Sequence, residues 1–233
     1  MYEISNPLSN MLLESLSRVA FRELQPSLKL ITHKQGITLC QPGHEIEHVY
    51  FPHDGMISLL AVMRDGREIE TATIGPEGSV GIMAGLGIHV SRVRVVVQLP
   101  LIASQISAST FRQAVQSSIA LRSVVAHAND AILAQVQITA ACNALHPIEA
   151  RLARWILQSS DRTRISEVIP LTQELLSQML GVTRSSVSEI ATKLQTAGII
   201  RYSRGNIEIT SRRGLEGVAC ECYATIRQIG RQA

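Results

Sequence analysis

Residues 171–200, LTQELLSQMLGVTRSSVSEIATKLQTAGII, restrict the possible folds more than any other stretch of the chain. Counting from Gln173, a small residue (Ser177) takes the fifth position, a glycine (Gly181) the ninth, and the aliphatics Val187 and Ile190 the fifteenth and eighteenth. This is the spacing of a helix-turn-helix. Two helices that cross steeply over a short turn need a small side chain where their backbones approach and a residue that tolerates positive φ at the turn. Leu175, Leu176, Met179 and Leu180 share one face of the first helix, and Val187, Ile190, Ala191 and Leu194 one face of the second, so both can close a single small core.

The polar residues left over predict where nucleic acid would be met. Thr183 is placed to cap a recognition helix running from Arg184 to Ala197. Its first turns fit the major groove, where Arg184 suits a bidentate contact to guanine and Glu189 can accept from a cytosine amine. Ser185, Ser186 and Ser188 can donate to bases or phosphates, and Thr172, Gln173 and Lys193 complete the polar set assigned to DNA. The plain alternative is a helical hairpin that only packs. Residues 199–210, IIRYSRGNIEIT, read as a β-hairpin turning at Ser203 to Asn206, a wing whose Arg201 and Arg204 would meet the sugar-phosphate backbone.

Charge supports this assignment. The net +3 conceals an asymmetry: residues 1–146 carry ten Lys and Arg against eleven Asp and Glu, whereas residues 147–233 carry twelve against eight. Positive charge is concentrated with the motif, as a duplex-facing domain requires. No apolar run reaches the ~18 residues of a membrane span, and MYEISNPLSN lacks a basic-then-apolar signal, so a cytoplasmic chain is expected. Cys40, Cys142, Cys220 and Cys222 contain no CxxC pair, which predicts reduced thiols rather than a zinc or iron–sulfur site. On a helix, Cys220 and Cys222 would point to different sides.

Along the chain, residues 5–25 read as one amphipathic helix, starting at Asn6-Pro7 and stopping at Gln25-Pro26. From Leu28 to Ile106, short β-rich runs with glycine about every ten residues, and an Asp65-Gly66 hairpin, predict an antiparallel roll or barrel. Residues 44–48, HEIEH, satisfy HExxH, but Pro42-Gly43 before them leaves no room for the helix that zinc-protease chemistry requires. A helical patch at Ser109–Gln116 precedes a long helix from Ser118 to Cys142. In it Leu121, Val125, Ala128, Ile132, Gln135 and Thr139 recur at spacings of four and three, a candidate dimer seam. Asn143 to His146 is the candidate hinge, residues 148–158 a further helix, Ser159 to Ser166 a loop, and Leu215 to Ile229 an amphipathic end.

Taken together, PGHEIEHVYFPHDG and TIGPEGSVG in the roll and LTQELLSQMLGVTRSSVSEIATKL in the reading head resemble the cyclic-AMP receptor/Fnr (CRP/FNR) superfamily of bacterial transcription regulators. The resemblance implies an α+β fold. Its parts would be an antiparallel β-roll effector domain over 1–116, a dimerisation helix and hinge over 117–146, and a winged helix-turn-helix over 147–233. It also implies a homodimer on a palindromic promoter site, contact with RNA polymerase, and an effector pocket around Gly81, Ile82, Met83, Ser91, Arg92 and Arg94. Cyclic-nucleotide binders of the family hold the ribose hydroxyls with a glutamate where this chain has Ile82, and their arginine-serine pair is altered here. Leaving such hydroxyls unpaired costs about 1–3 kcal/mol each, so the usual cyclic-AMP binding is not expected and no cofactor is assigned. The Fnr-type N-terminal cysteine cluster is absent, and His89 would be a haem ligand in the roll, with His53 read as a solvated turn histidine.

Two other functions remain open on the sequence: a sensing module that acts through a protein partner, and a zinc metalloenzyme using His44, Glu45 and His48. A DNA-binding regulator without enzymatic activity, its effector unknown or unnecessary, is the leading expectation.

Overall fold

The computed structural model describes residues 9–232. The expected helix over 5–25 is two: α1 (Met11–Ser15) and α2 (Arg18–Leu24). The expected start at Asn6-Pro7 lies outside the described residues. Leu16 is extended at ψ 143°, and Ser17 accepts from the Ala20 amide at 3.2 Å to begin a new helix. The apolar spacing ran on through the break, but a serine cap competes with helix continuation.

Five antiparallel strands form the roll: β1 (Lys29–His33), β2 (Thr38–Cys40), β3 (His48–Val62), β4 (Glu68–Ile74) and β5 (Arg94–Ser107). Their order is β1-β5-β3-β4, with β2 also on β5. The register of β3 against β5 slips on both sides of Gly55, which has φ +89° and whose added Cβ would stand 2.0 Å from the Pro100 carbonyl oxygen. This glycine lets the longest strand bulge and curl. The Asp65-Gly66 turn joins β3 to β4 as expected. In the glycine-dense stretch after β4, a 3-10 helix over Ile82–Leu86 is bracketed by Gly81 and Gly87, both at left-handed φ.

Helix α3 (Ala108–Ser117) leads into α4 (Ile119–Leu145), which continues through the expected hinge; only His146 is extended. The stripe assigned to a dimer seam faces its own chain instead. Leu121, Val125, Ala128, Gln135 and Thr139 are buried within the single chain and Ile132 half-buried, packed on the roll and the C-terminal helix. The surface they would offer a second copy is already used. On the opposite side, Ile119, Ser123, Ala126, Asp130, Leu133, Gln137, Ala140 and Ala144 repeat at four and three and are all exposed. Periodicity picks out the first stripe but does not say whether the chain itself covers it.

From the N-cap Pro147, α5 spans Ile148–Arg162 and takes in part of the expected loop. Ser159 lies within the helix and its hydroxyl donates to the Trp155 carbonyl at 2.9 Å. Then follow β6 (Val168–Pro170), α6 (Gln173–Leu180), α7 (Arg184–Thr196), β7 (Ile200–Ser203) and β8 (Asn206–Ile209), with β6, unforeseen, extending the wing to a sheet ordered β6-β8-β7. The C-terminal stretch is again two helices, α8 (Arg212–Val218) and α9 (Cys222–Gln232), parted at Ala219 to Glu221. Cys220 therefore sits in a turn, not on a helix, and it faces the same way as Cys222.

Roll and reading head share one core. Met56, Leu60, Val96 and Leu99 of the roll join Leu152, Trp155, Ile156, Leu176 and Leu194 in a single buried cluster. Polar contacts fix the orientation around it. Trp155 Nε1 donates to Glu70 at 2.7 Å, and Arg162 donates to Glu77 at 2.6 and 2.9 Å and to Thr73 Oγ1 at 2.7 Å. No helix among the described residues is long and apolar enough to cross a membrane.

Candidate nucleic-acid interface

The interface is built from two capped helices and a hairpin. Thr172 accepts from the Leu175 amide at 3.2 Å to start α6, and Gly181 ends it at φ +65°. Thr183 accepts from the Ser186 amide at 3.3 Å to start α7, and its hydroxyl lies 2.9 Å from those of both Ser185 and Ser186. Ser177, Val187, Ile190, Ala191 and Leu194 are buried, so the hairpin closes as its spacing predicts. Capping leaves the amides at the start of α7 partly unsatisfied and its positive dipole end outward, a setting that favours phosphate and base acceptors.

Of the residues assigned to DNA, Thr172, Thr183, Arg184, Ser185, Glu189, Lys193, Arg201 and Arg204 are exposed, while Gln173, Ser186 and Ser188 are half-buried. Arg184 Nε lies 3.2 Å from Glu174 on α6, yet its side chain remains 66% exposed, so it can exchange this partner for a base edge. Glu189 and Lys193 pair at 3.0 Å one turn apart, which holds the Lys193 ammonium above its usual range through the hydrogen bond and the charge of Glu189. On the wing, Arg201 pairs with Glu208 at 2.6 Å. Arg204 and Gly205 both take positive φ, the backbone of a tight two-residue hairpin turn that presents Arg204 at the tip.

The roll contains a cavity of about 280 Å³ closed on one side by Asn129 and Ile132 of α4. Gly81, Ile82, Met83, Ser91 and Arg92 line it, as assigned; Arg94 does not. On β5, Val95 faces the cavity and its neighbour Arg94 turns outward, where it donates to Glu68 at 2.8 Å and Thr38 at 3.1 Å. Ile82 is 2% exposed and belongs to the apolar cluster with Phe51 and Phe111 beneath the roll. The Ser91 hydroxyl is occupied by the Val93 carbonyl at 2.7 Å.

His44 and Glu45 lie in a turn and a bridge, and His48 opens β3, so the HExxH residues share no helix. Arg112 donates to His89 Nδ1 at 2.6 Å on the outside of the roll. Two groups escaped the sequence reading. The pairing of Glu70 with Trp155 and of Glu77 with Arg162 had no local signal in the sequence. The convergence of Cys142, His146, Cys220 and Cys222 had no local signal at all.

Comparison with known proteins follows the same order along the chain. Residues 30–118 match the cyclic nucleotide-binding domain family, and residues 150–218 match the Crp-like helix-turn-helix domain family. No curated protein sequence matches. Among solved structures, FixK2 from Bradyrhizobium japonicum superposes with a TM-score of 0.69 at 16% identity, covering 83% of this chain and 98% of its own. A CRP/FNR-family transcriptional regulator from Thermus thermophilus gives 0.65 at 21%, covering 82% and 98%. The c-di-GMP responsive global regulator CLP of Xanthomonas campestris gives 0.64 at 16%, covering 83% and 99%. These likenesses are of fold. With a cyclic nucleotide-binding roll, a long helix and a Crp-like reading head in this succession, the chain belongs to the CRP/FNR superfamily of transcription regulators.

Proposed function

We propose that this chain is a homodimeric regulator that binds a palindromic promoter site through the leading turn of α7 and the wing. The exposed, capped start of α7, together with the exposed Arg201 and Arg204 of the wing, carries this reading. Arg184 and Glu189 read base edges. Thr172, the serines at 185, 186 and 188, Lys193 and the wing arginines hold phosphates. The exposed stripe of α4 pairs with its counterpart in a second copy, since Ala126, Ala140 and Ala144 permit close approach and Ile119 and Leu133, 81% and 52% exposed, lack cover. Two copies then present α7 about one duplex turn apart, ~34 Å.

The roll is the regulatory part, acting on transcription with RNA polymerase as the partner beyond DNA. Its cavity supports an apolar effector or none: Ile82 is fixed in the core where a diol-binding carboxylate would be needed, which disfavours cyclic AMP. No catalytic role is assigned to any residue, and the protein acts in the cytoplasm. Titration onto a palindromic fragment and onto scrambled duplex at two salt concentrations tests the proposal. A preference of at least about a thousandfold for the site is expected; equal affinity for both duplexes, with and without cell extract as an effector source, overturns it.

A further inference from the structure

At the C-terminal end of α4, four side chains from distant parts of the chain converge. Cys142 and His146 are one turn apart at the helix end, and Cys220 and Cys222 flank the turn into α9. Their ligand atoms all lie within 4.8 Å of one another, and the three cysteines are buried. Cys142 Sγ is 3.5 Å from Cys220 Sγ, too far for a disulfide, and Cys222 Sγ is 3.6 Å from His146 Nδ1. A tetrahedral zinc ion with ordinary bond lengths sets its ligands about 3.8 Å apart for two sulfurs and about 3.6 Å for sulfur and nitrogen. The observed edges are close to those of such a tetrahedron.

We propose that Cys142, His146, Cys220 and Cys222 bind one soft divalent cation, zinc by the chemistry of the donor set, in a closed tetrahedral site. Three sulfurs and one imidazole leave no place for water, so the site is structural. Ligands this close hold a single ion, not a cluster of several irons, whose cysteines stand further apart. The surroundings fit. His146 Nε2 faces the Glu221 carboxylate at 3.2 Å, which fixes the tautomer that leaves Nδ1 free to coordinate. Ile138 and Ala150 pack around the sulfurs as an apolar sheath. Three thiolates on a divalent ion leave one negative charge, and Arg154, buried beside them and acting on both Cys142 and Cys220, has its Nε without a partner. The ion would fasten the end of the long helix to the turn between α8 and α9, where the chain passes from roll to reading head. This site is independent of the DNA-binding proposal.

The test uses the full chain, expressed with zinc, purified under reducing conditions and analysed by mass spectrometry for metal. One zinc per chain is expected. After chelation, cobalt(II) should give the intense visible bands of a tetrahedral ion and a thiolate charge-transfer band. C222S and H146A should lose both signals, and C40S, changed outside the cluster, should keep both. Glu221→Gln should weaken zinc affinity about tenfold. Fully reduced wild-type protein that folds but takes up neither zinc nor tetrahedral cobalt overturns the proposal, as does a Cys142–Cys220 disulfide in the reduced preparation or unchanged uptake by both ligand variants. Should the ligand variants be recovered unfolded, the wild-type stoichiometry and cobalt spectrum decide alone.

Discussion

The indole Nε1 of Trp155 donates to the carboxyl of Glu70 at 2.7 Å, with the two residues only 1% and 6% exposed, so the reading head is latched to the roll by a bond that water does not reach. Ser58 holds the other oxygen at 2.5 Å. Trp155→Phe keeps most of the packing but strips one partner from a buried carboxyl. The expected loss is about 1–3 kcal/mol of stability, read by urea denaturation.

Glu70 also makes this latch pH-dependent. Burial pushes its carboxyl from the ordinary 4.5 up to about 7, against hydrogen bonds from Ser58 and Trp155 and the charges of Arg154 and Arg162. Because the folded value is raised, its contribution is fully present below about pH 4.5 and is lost as pH rises through 7. The loss is on the order of 3 kcal/mol. Glu77 runs oppositely: burial pushes it up, but the charge and hydrogen bonds of Arg162 together with backbone amides outweigh this and hold it below its ordinary value. Stability of the wild type minus that of Glu70→Gln, measured from about pH 4.5 to 8, isolates the first effect and should fall across that window. A flat difference would contradict the assignment.

Arg184→Ala should cost about 1–3 kcal/mol of DNA affinity and relax preference at one base pair. Arg204→Ala should instead weaken every duplex alike and lower the salt slope by about one. Competition with single-base variants of the site, at several salt concentrations, separates the two. Unchanged selectivity in Arg184→Ala removes that side chain from base reading.

The exposed stripe of α4 makes two opposed predictions. Leu133→Glu should shift the dimer toward monomer in sedimentation, since it places like charges on an apolar contact. Asp130 occupies the same stripe and would face its own copy across a parallel pair, so Asp130→Leu should tighten the dimer. If both variants sediment like the wild type, the pairing surface lies elsewhere.

At Gly55, a side chain meets both a left-handed φ of +89° and the Pro100 carbonyl oxygen. Gly55→Ala should destabilise by more than about 3 kcal/mol, measured by thermal and urea unfolding, whereas Gly66→Ala, with open space around its Cβ, should cost less.

What could be read in advance was local. Ser177, Gly181 and Thr183 mark the helix-turn-helix because small size, positive φ and an N-cap are each met by only a few residue types. Asp65-Gly66 marks its hairpin for the same reason. The candidate pocket was legible except at Arg94, because the strand begins only there and the alternation could not be phased from outside. What escaped depends on distant segments meeting. Nothing near Cys142 announces that Cys220 will return to it, Leu121 and Leu133 look alike until the roll covers one of them, and Glu70 reads as a surface charge until Trp155 arrives.

Helix α5 contributes side chains to the interior of both halves at once, with Leu152, Trp155 and Ile156 set among residues from β3 and β5. Severing the chain at residue 147 would leave each fragment with a raw oily face, and neither should survive alone as a well-behaved domain. The intact protein should melt in a single step. Were the roll to respond to an effector, as proposed, the change would reach the reading head through the packing of α5.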